Sequence, residues 1–378
     1  MNKPITNYFK SPRLFFYIVF LSELSVIFST LGYLPILSVI ISLLSFIIIN
    51  IIFFVNSYHS KRKLTSFIVF GIYYLVFFLV LMYHKSSFEY FFSLSNLIVG
   101  TSLILNFKNY QTRNIKLYFF SFIILFILKV FFTPLGDAKL ILAENNLNPN
   151  SMGLFLFVFY CIFIVDFSYT KKKRKLFLAL VLVILQEFYM CRSSILFSIL
   201  FTLSVFISNY FNIKFKHKGL IITIILVLQL YFTYFYSIIL YESIGKNNII
   251  MFGKDIFTGR EVIWSDAFKQ IGGNLFLGIG NTFTSTLNIN GEYMTNLHNS
   301  ALAILLNFGA VGLISTIIIC GHLFFKKKYK FSFLFFCSIL GLSFFETHLL
   351  STGSVFSILL GLLYIHEIEM RYVKDENS

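Results

Sequence analysis

The chain has 378 residues, 57% hydrophobic and 12% charged, with a mean hydropathy of +0.81. Soluble globular domains carry about 25% charged residues, so this composition excludes one and calls for an integral membrane protein. The net charge of +15 does not point to nucleic acid, because the basic residues are scattered between apolar runs and build no soluble basic face.

Apolar runs close to the ~20 residues that a helix needs to cross hydrocarbon recur along the chain, without the ten-residue alternation of an outer-membrane barrel. They predict spans over residues 14–31, 35–55, 65–83, 88–106, 115–133, 151–168, 176–190, 193–211, 219–240, 298–324, 331–346 and 351–367. The expected fold is all-α and polytopic, with about 12 transmembrane helices, one large external loop over residues 241–297, and a single membrane domain over residues 1–378. The basic residues before the first run precede no small-residue cleavage signature, so that run reads as an uncleaved span. Cys161, Cys191, Cys320 and Cys337 are isolated within or at the ends of apolar runs, without metal-ligand or disulfide spacing.

Orientation follows from the basic residues. Lys3/Lys10/Arg13, Lys61 to Lys63, Lys108/Arg113/Lys116, Lys171 to Lys175, Lys214/Lys216/Lys218, Lys326 to Lys330 and Arg371/Lys374 fall at alternate loops. By the positive-inside rule both termini face the cytoplasm and the 241–297 loop faces out. Charges within or near the ends of the runs are few: Glu23, Lys129, Asp166, Glu187 and Glu346. Such groups are costly in lipid and are candidates for function, although Asp166 and Glu187 also fit interfacial positions and Lys129 can snorkel outward.

The sequence carries no motif for soluble-nucleotide chemistry. There is no P-loop, no HExxH and no Asp-x-Asp, and Gly278-Ile279-Gly280 lacks the third glycine of a dinucleotide fingerprint. No cofactor and no metal site are expected.

The long loop carries the chemistry. Thr258-Gly259-Arg260-Glu261 fits a capping box, and Trp264, Ala267, Phe268 and Ile271 then recur at helical spacing. This predicts a short amphipathic helix at the membrane interface with Trp264 as its anchor. Arg260 in its first turn opposes the helix dipole; a guanidinium beside free backbone N–H groups suits a diphosphate, and an arginine touching lipid headgroups is the alternative. Arg192, in Cys191-Arg192-Ser193-Ser194, is a cation on the side that the charge bias leaves poor, and reads either as a second anion contact or as a snorkelling residue. His298, where the chain re-enters the membrane in Leu297-His298-Asn299-Ser300-Ala301-Leu302, is a candidate general base or a neighbour of a helix cap. Asn148-Pro149-Asn150 before the sixth span fits an N-cap with proline at N1.

The order Asn-Pro-Asn, Arg-Ser, Gly-Arg-x-x-x-Trp, Gly-x-Gly and His-Asn-x-x-Leu followed by Gly309-x-x-Gly312 resembles the O-antigen ligase and O-antigen polymerase family over Asn148 to Gly312. The resemblance implies a GT-C-like membrane fold and a metal-independent, inverting glycosyl transfer at the outer face, with an undecaprenyl-diphosphate-linked oligosaccharide as donor. It carries Arg192, Arg260 and His298 over as the catalytic set. Arg192, Arg260, Trp264, Gly278, Gly280 and Asn299 become the candidate substrate contacts, although plain turn-making also accounts for the two glycines. The first expectation is a surface-polysaccharide (O-antigen or capsule) polymerase in membrane lipid, with a chain-length regulator as a candidate partner. A ligase moving glycan to lipid A core or protein is the alternative within the family, and a lipid-linked-oligosaccharide flippase the alternative from another class.

Overall fold

A computed structural model describes residues 12–30, 35–58, 64–84, 88–106 and 149–375, apart from positions 190, 212, 214, 216, 242–249, 252–253, 256–259, 281, 290–291, 295 and 326–328. The helices, in chain order, are α1 (Pro12–Thr30), α2 (Pro35–Tyr58), α3 (Leu64–His84), α4 (Phe88–Asn106), α5 (Pro149–Thr170) and α6 (Lys173–Phe188). There follow α7 (Arg192–Tyr210), α8 (Lys218–Tyr234), α9 (Arg260–Gly272), α10 (Ser300–Phe324), α11 (Lys330–Leu342) and α12 (Thr352–Asp375). A π-helical turn, Phe235–Leu240, prolongs α8. Every expected span has a helix in its place except 115–133, which lies outside the described residues together with Lys129, Asn148 and Thr258. The only strands among the described residues are two antiparallel pairs of two-residue segments in the long loop, Ile250–Met251 with Lys254–Asp255 and Asn288–Ile289 with Glu292–Tyr293.

Among the described residues, six helical segments are long and apolar enough to cross a membrane: Phe88–Asn106, Met152–Thr170, Arg192–Tyr210, Lys218–Leu240, Ser300–Phe324 and Gly353–Tyr372. Their packing is that of a bundle in lipid. α4, α5 and α12 are surrounded by other helices, whereas α7 and α8 turn rows of large apolar side chains outward, Leu196, Ile199 and Leu203 on one, Leu220, Ile224, Val227 and Tyr231 on the other. Outward apolar stripes would be a liability in water and are what hydrocarbon demands. Small residues let α8 and α10 approach closely. Gly219 on α8 and Gly321 on α10 face each other so closely that a Cβ on either would stand 3.3–3.5 Å from the other's Cα.

Two of the charges singled out from the sequence have local partners. Asp166 near the end of α5 pairs with Lys175 of α6 at 2.8 Å, and Glu23 on α1 accepts a 2.7 Å hydrogen bond from Ser357 of α12. α10 is broken at Gly309, whose φ of 65° and ψ of −170° belong to neither turn of helix around it.

Candidate active site

The helix expected from the Arg260 segment forms, and Arg260 is its first residue. Trp264, however, is not an interfacial anchor. It is 4% exposed, packs against Tyr236 and Phe344 at 5.7 and 5.9 Å between ring centroids, and donates its indole N–H to the carbonyl of Leu297 at 2.7 Å. Ile263, Ala267 and Ile271 are buried with it. Helical periodicity identified an apolar face, and that face covers protein instead of lipid.

The bond to Leu297 fixes the residue before His298. His298 itself has φ +49°, a left-handed conformation uncommon outside glycine, and its backbone N–H is held by Asn296 Oδ1 at 3.0 Å. Asn299 then caps α10. Its Oδ1 accepts from Leu302 N at 2.8 Å, its Nδ2 donates to Thr233 Oγ1 at 3.0 Å, and it is fully buried. Of the expected substrate contacts, Asn299 and Trp264 are therefore held inside the protein.

The residues that converge on His298 come from the turn between α11 and α12. Glu346 meets His298 Nδ1 with Oε2 at 2.9 Å and Arg260 Nη2 with Oε1 at 3.6 Å. Arg260 Nη1 also donates to Phe345 O at 3.2 Å. This turn is bonded to the start of α10: Ser300 N donates to Ser343 O at 2.9 Å, and Ser300 Oγ donates to Glu346 O at 3.0 Å. The side chains of Arg260 and His298 stay 27% and 19% exposed while that of Glu346 is 5% exposed, so the carboxylate lies behind the two groups that reach the surface. Burial alone would raise the Glu346 carboxyl, but the hydrogen bond and charge of His298, with His348 and Arg260, outweigh it and hold the group below the usual carboxylate value. Burial acts the other way on His348, which is pushed down to about 4 despite the nearby Glu346 charge; its Nδ1 lies 3.2 Å from Ser354 Oγ.

Arg192 begins α7 and is exposed. Its turn abuts the start of α5, where a Cβ on Gly153 would meet Ser194 Oγ at 2.5 Å and Cys191 Cβ at 2.7 Å. Phe197, further along α7, packs edge-on against Phe345 at 6.3 Å. Arg192 is thus placed at the same end of the bundle as the Arg260–Glu346–His298 group, without joining its hydrogen bonds. Gly278 and Gly280 have φ of +75° and +67°, and a Cβ on Gly278 would lie 2.5 Å from Leu306 O and 2.7 Å from Gly309 N. Close approach to α10 explains the first glycine, and the left-handed turn explains both.

Glu346 is the residue that sequence reasoning did not assign to the site. It lies 48 residues after His298, and the available signal was a carboxylate at the end of an apolar run.

Helices of this length and apolarity, with a polar group of this kind at one end, define an all-helical multi-pass membrane protein. Residues 188–317 match the family model described as O-antigen ligase. That stretch, about a third of the chain, contains Arg192, Arg260 and His298. No curated protein and no solved structure matches.

Proposed function

We propose that the protein is a bacterial surface-polysaccharide polymerase that moves a glycan from an undecaprenyl-diphosphate carrier to a hydroxyl of a lipid-linked repeat unit, at the external face of a plasma membrane. The observation that carries this reading is the Arg260–Glu346–His298 group, within a chain that matches the O-antigen ligase family. Glu346 accepts from the Nδ1–H of His298, which leaves the Nε2 lone pair free as a base. The acceptor oxygen attacks the anomeric carbon, its proton passes to His298 Nε2, and the bond from that carbon to the diphosphate oxygen breaks with inversion. The electron pair leaves with the lipid diphosphate. Arg260 and Arg192 hold that anion as its charge grows, an electrostatic role in which one lost donor costs roughly 10²–10³ in rate.

In this reading Trp264 and Asn299 are positioning residues, one fixing Leu297 and the other the start of α10. The loop 241–297 and the turn carrying Glu346 together form the catalytic region of a twelve-span, GT-C-like membrane domain with both termini cytoplasmic. No metal or cofactor is assigned a step. A ligase would use the same groups with a different acceptor, lipid A core or protein. Depletion separates the readings: loss of a polymerase leaves single repeats attached to the surface acceptor, loss of a ligase leaves long polymer on the carrier, and loss of a flippase traps repeat units on the cytoplasmic side. The expected profile is single repeats; either of the others overturns the polymerase assignment.

A further inference from the structure

The segment after α9 does something that an external loop has no reason to do. Its backbone is bonded into the break of α10. Ile279 N donates to Leu306 O at 2.8 Å, Ala310 N donates to Leu275 O at 2.8 Å, and Val311 N donates to Phe276 O at 3.3 Å. The turn is closed on itself by Gly278 N donating to Asn274 O at 2.7 Å. A Cβ on Gly309 would overlap Phe276 O and approach Gly278 N to 2.6 Å, so both glycines are required for this contact. A helix broken inside hydrocarbon frees carbonyl and N–H groups that lipid cannot satisfy; here residues 275–279 satisfy them.

Depth follows from helix geometry. α10 has 25 residues, about 37 Å at 1.5 Å per residue, against a hydrocarbon core of about 30 Å. Gly309 is roughly 13 Å along the axis from Ser300. Even if all the excess length projects at the His298 end, the break sits about 6 Å inside the hydrocarbon. The neighbouring helix gives an independent level. Thr233 of α8 bonds Asn299 at the start of α10, and Tyr231, Phe232, Tyr234, Phe235 and Ile239, on both sides of that level, are 38–56% exposed. An outward apolar and tyrosine-rich surface at the top of a span marks the lipid boundary, which therefore reaches the level of Asn299, well above Gly309.

Leu275 and Phe276 at the tip of this turn are 55% and 70% exposed. We propose that residues 274–279 form a re-entrant turn, docked on the broken helix within the bilayer, with Leu275 and Phe276 lying among the acyl chains of the leaflet on the His298 side. α9 then descends from the candidate site into the membrane, and Lys269 in its last turn reaches the headgroups along its aliphatic stem.

The test is the environment of single nitroxide labels in the full chain, reconstituted in phosphatidylcholine–phosphatidylglycerol vesicles. Phe276→Cys, Leu275→Cys and Thr284→Cys are labelled separately, with labelled wild type subtracted for the four native cysteines. The expected result is that collision with dissolved oxygen exceeds collision with a water-soluble nickel chelate at 275 and 276, and that the ratio reverses at the exposed position 284. Nickel access at 276 equal to that at 284 would show the turn in water and overturn the proposal. Shielding of 275 and 276 from both probes would place them against protein and overturn it equally. Adding Gly309→Ala to Phe276→Cys should raise nickel access by expelling the turn; an unchanged ratio would show that the backbone docking does not hold it there.

Discussion

Glu369 and Glu346 lie at opposite ends of α11, 2% and 3% exposed. Glu369, on α12, receives the backbone N–H groups of Phe331 and Ser332 at 2.6 and 3.0 Å and the hydroxyl of Ser332 at 2.5 Å. These are free donors of a helix start, and the carboxylate serves as a cap supplied from another helix. Glu346, just past the other end, is shared between a histidine and an arginine that both reach the surface. On the proposed function, two carboxylates of equal burial have different work. One is bound to backbone donors that cannot change partners, and the other is bound to side chains that can meet a ligand. Burial does not distinguish a structural carboxylate from one in a site; the exposure of its partners does.

The comparison is tested most severely at the partner of Glu346. His298→Gln keeps size and some hydrogen bonding but takes up no proton near neutral pH, so glycan transfer in reconstituted vesicles should fall by roughly 10²–10⁴ while donor binding persists. Transfer at the wild-type rate would leave His298 as a structural residue and move the search for a base to Glu292 or Glu261. Next in size, Arg260→Ala and Arg192→Ala should each lose roughly 10²–10³ in turnover. Arg260→Lys should recover only part, since lysine keeps the charge without the forked donor geometry; normal polymer length in either alanine variant at equal expression would remove diphosphate binding from that arginine.

The two glutamates themselves give smaller and opposite signatures. Glu346→Gln should cost about 10–100-fold in transfer, the usual effect of losing the partner that orients a functional histidine, with little loss of thermal stability. Glu369→Gln should weaken the fold by about 1.5–3 kcal/mol, as for hydrogen bonds to a charged group, and leave turnover per folded molecule unchanged. Matching activity losses in both would erase the distinction. A further effect is on pH. His348 is held at about 4, below its ordinary 6.5, so between those values the unfolded chain binds more protons and stability rises with pH. The lowered Glu346 acts in the same direction, since its contribution is present above the ordinary carboxylate value and is lost as pH falls through its own. Melting temperature should therefore drop on acidification from about 6.5 toward about 4, and His348→Gln should flatten that slope.

Among the described residues, the six helices long and apolar enough to cross a membrane were legible because hydrocarbon imposes a length on apolar runs, and the start of α9 because Thr258-Gly259-Arg260-Glu261 reads as a capping box. Three things were not legible. The burial of Trp264 depends on Tyr236 and Phe344 arriving from distant segments, and periodicity alone cannot tell a face that meets protein from one that meets lipid. Glu346 needed the α11–α12 turn folded against the start of α10. The break at Gly309 is hidden because the run from Ala301 to Ile319 reads as one continuous helix, and what interrupts it is backbone from residues 275–279.

The left-handed backbone at His298 also limits what can replace it by mutation. Gly, Asn and Asp tolerate that conformation, whereas β-branched residues are strained there whatever their chemistry. Among inactive variants at this position, membrane abundance should therefore fall into two tiers, with Gly, Asn and Asp well above Val, Ile and Thr. A lineage that gave up the activity would have a short list of residues through which position 298 could drift while the protein still accumulated in the membrane.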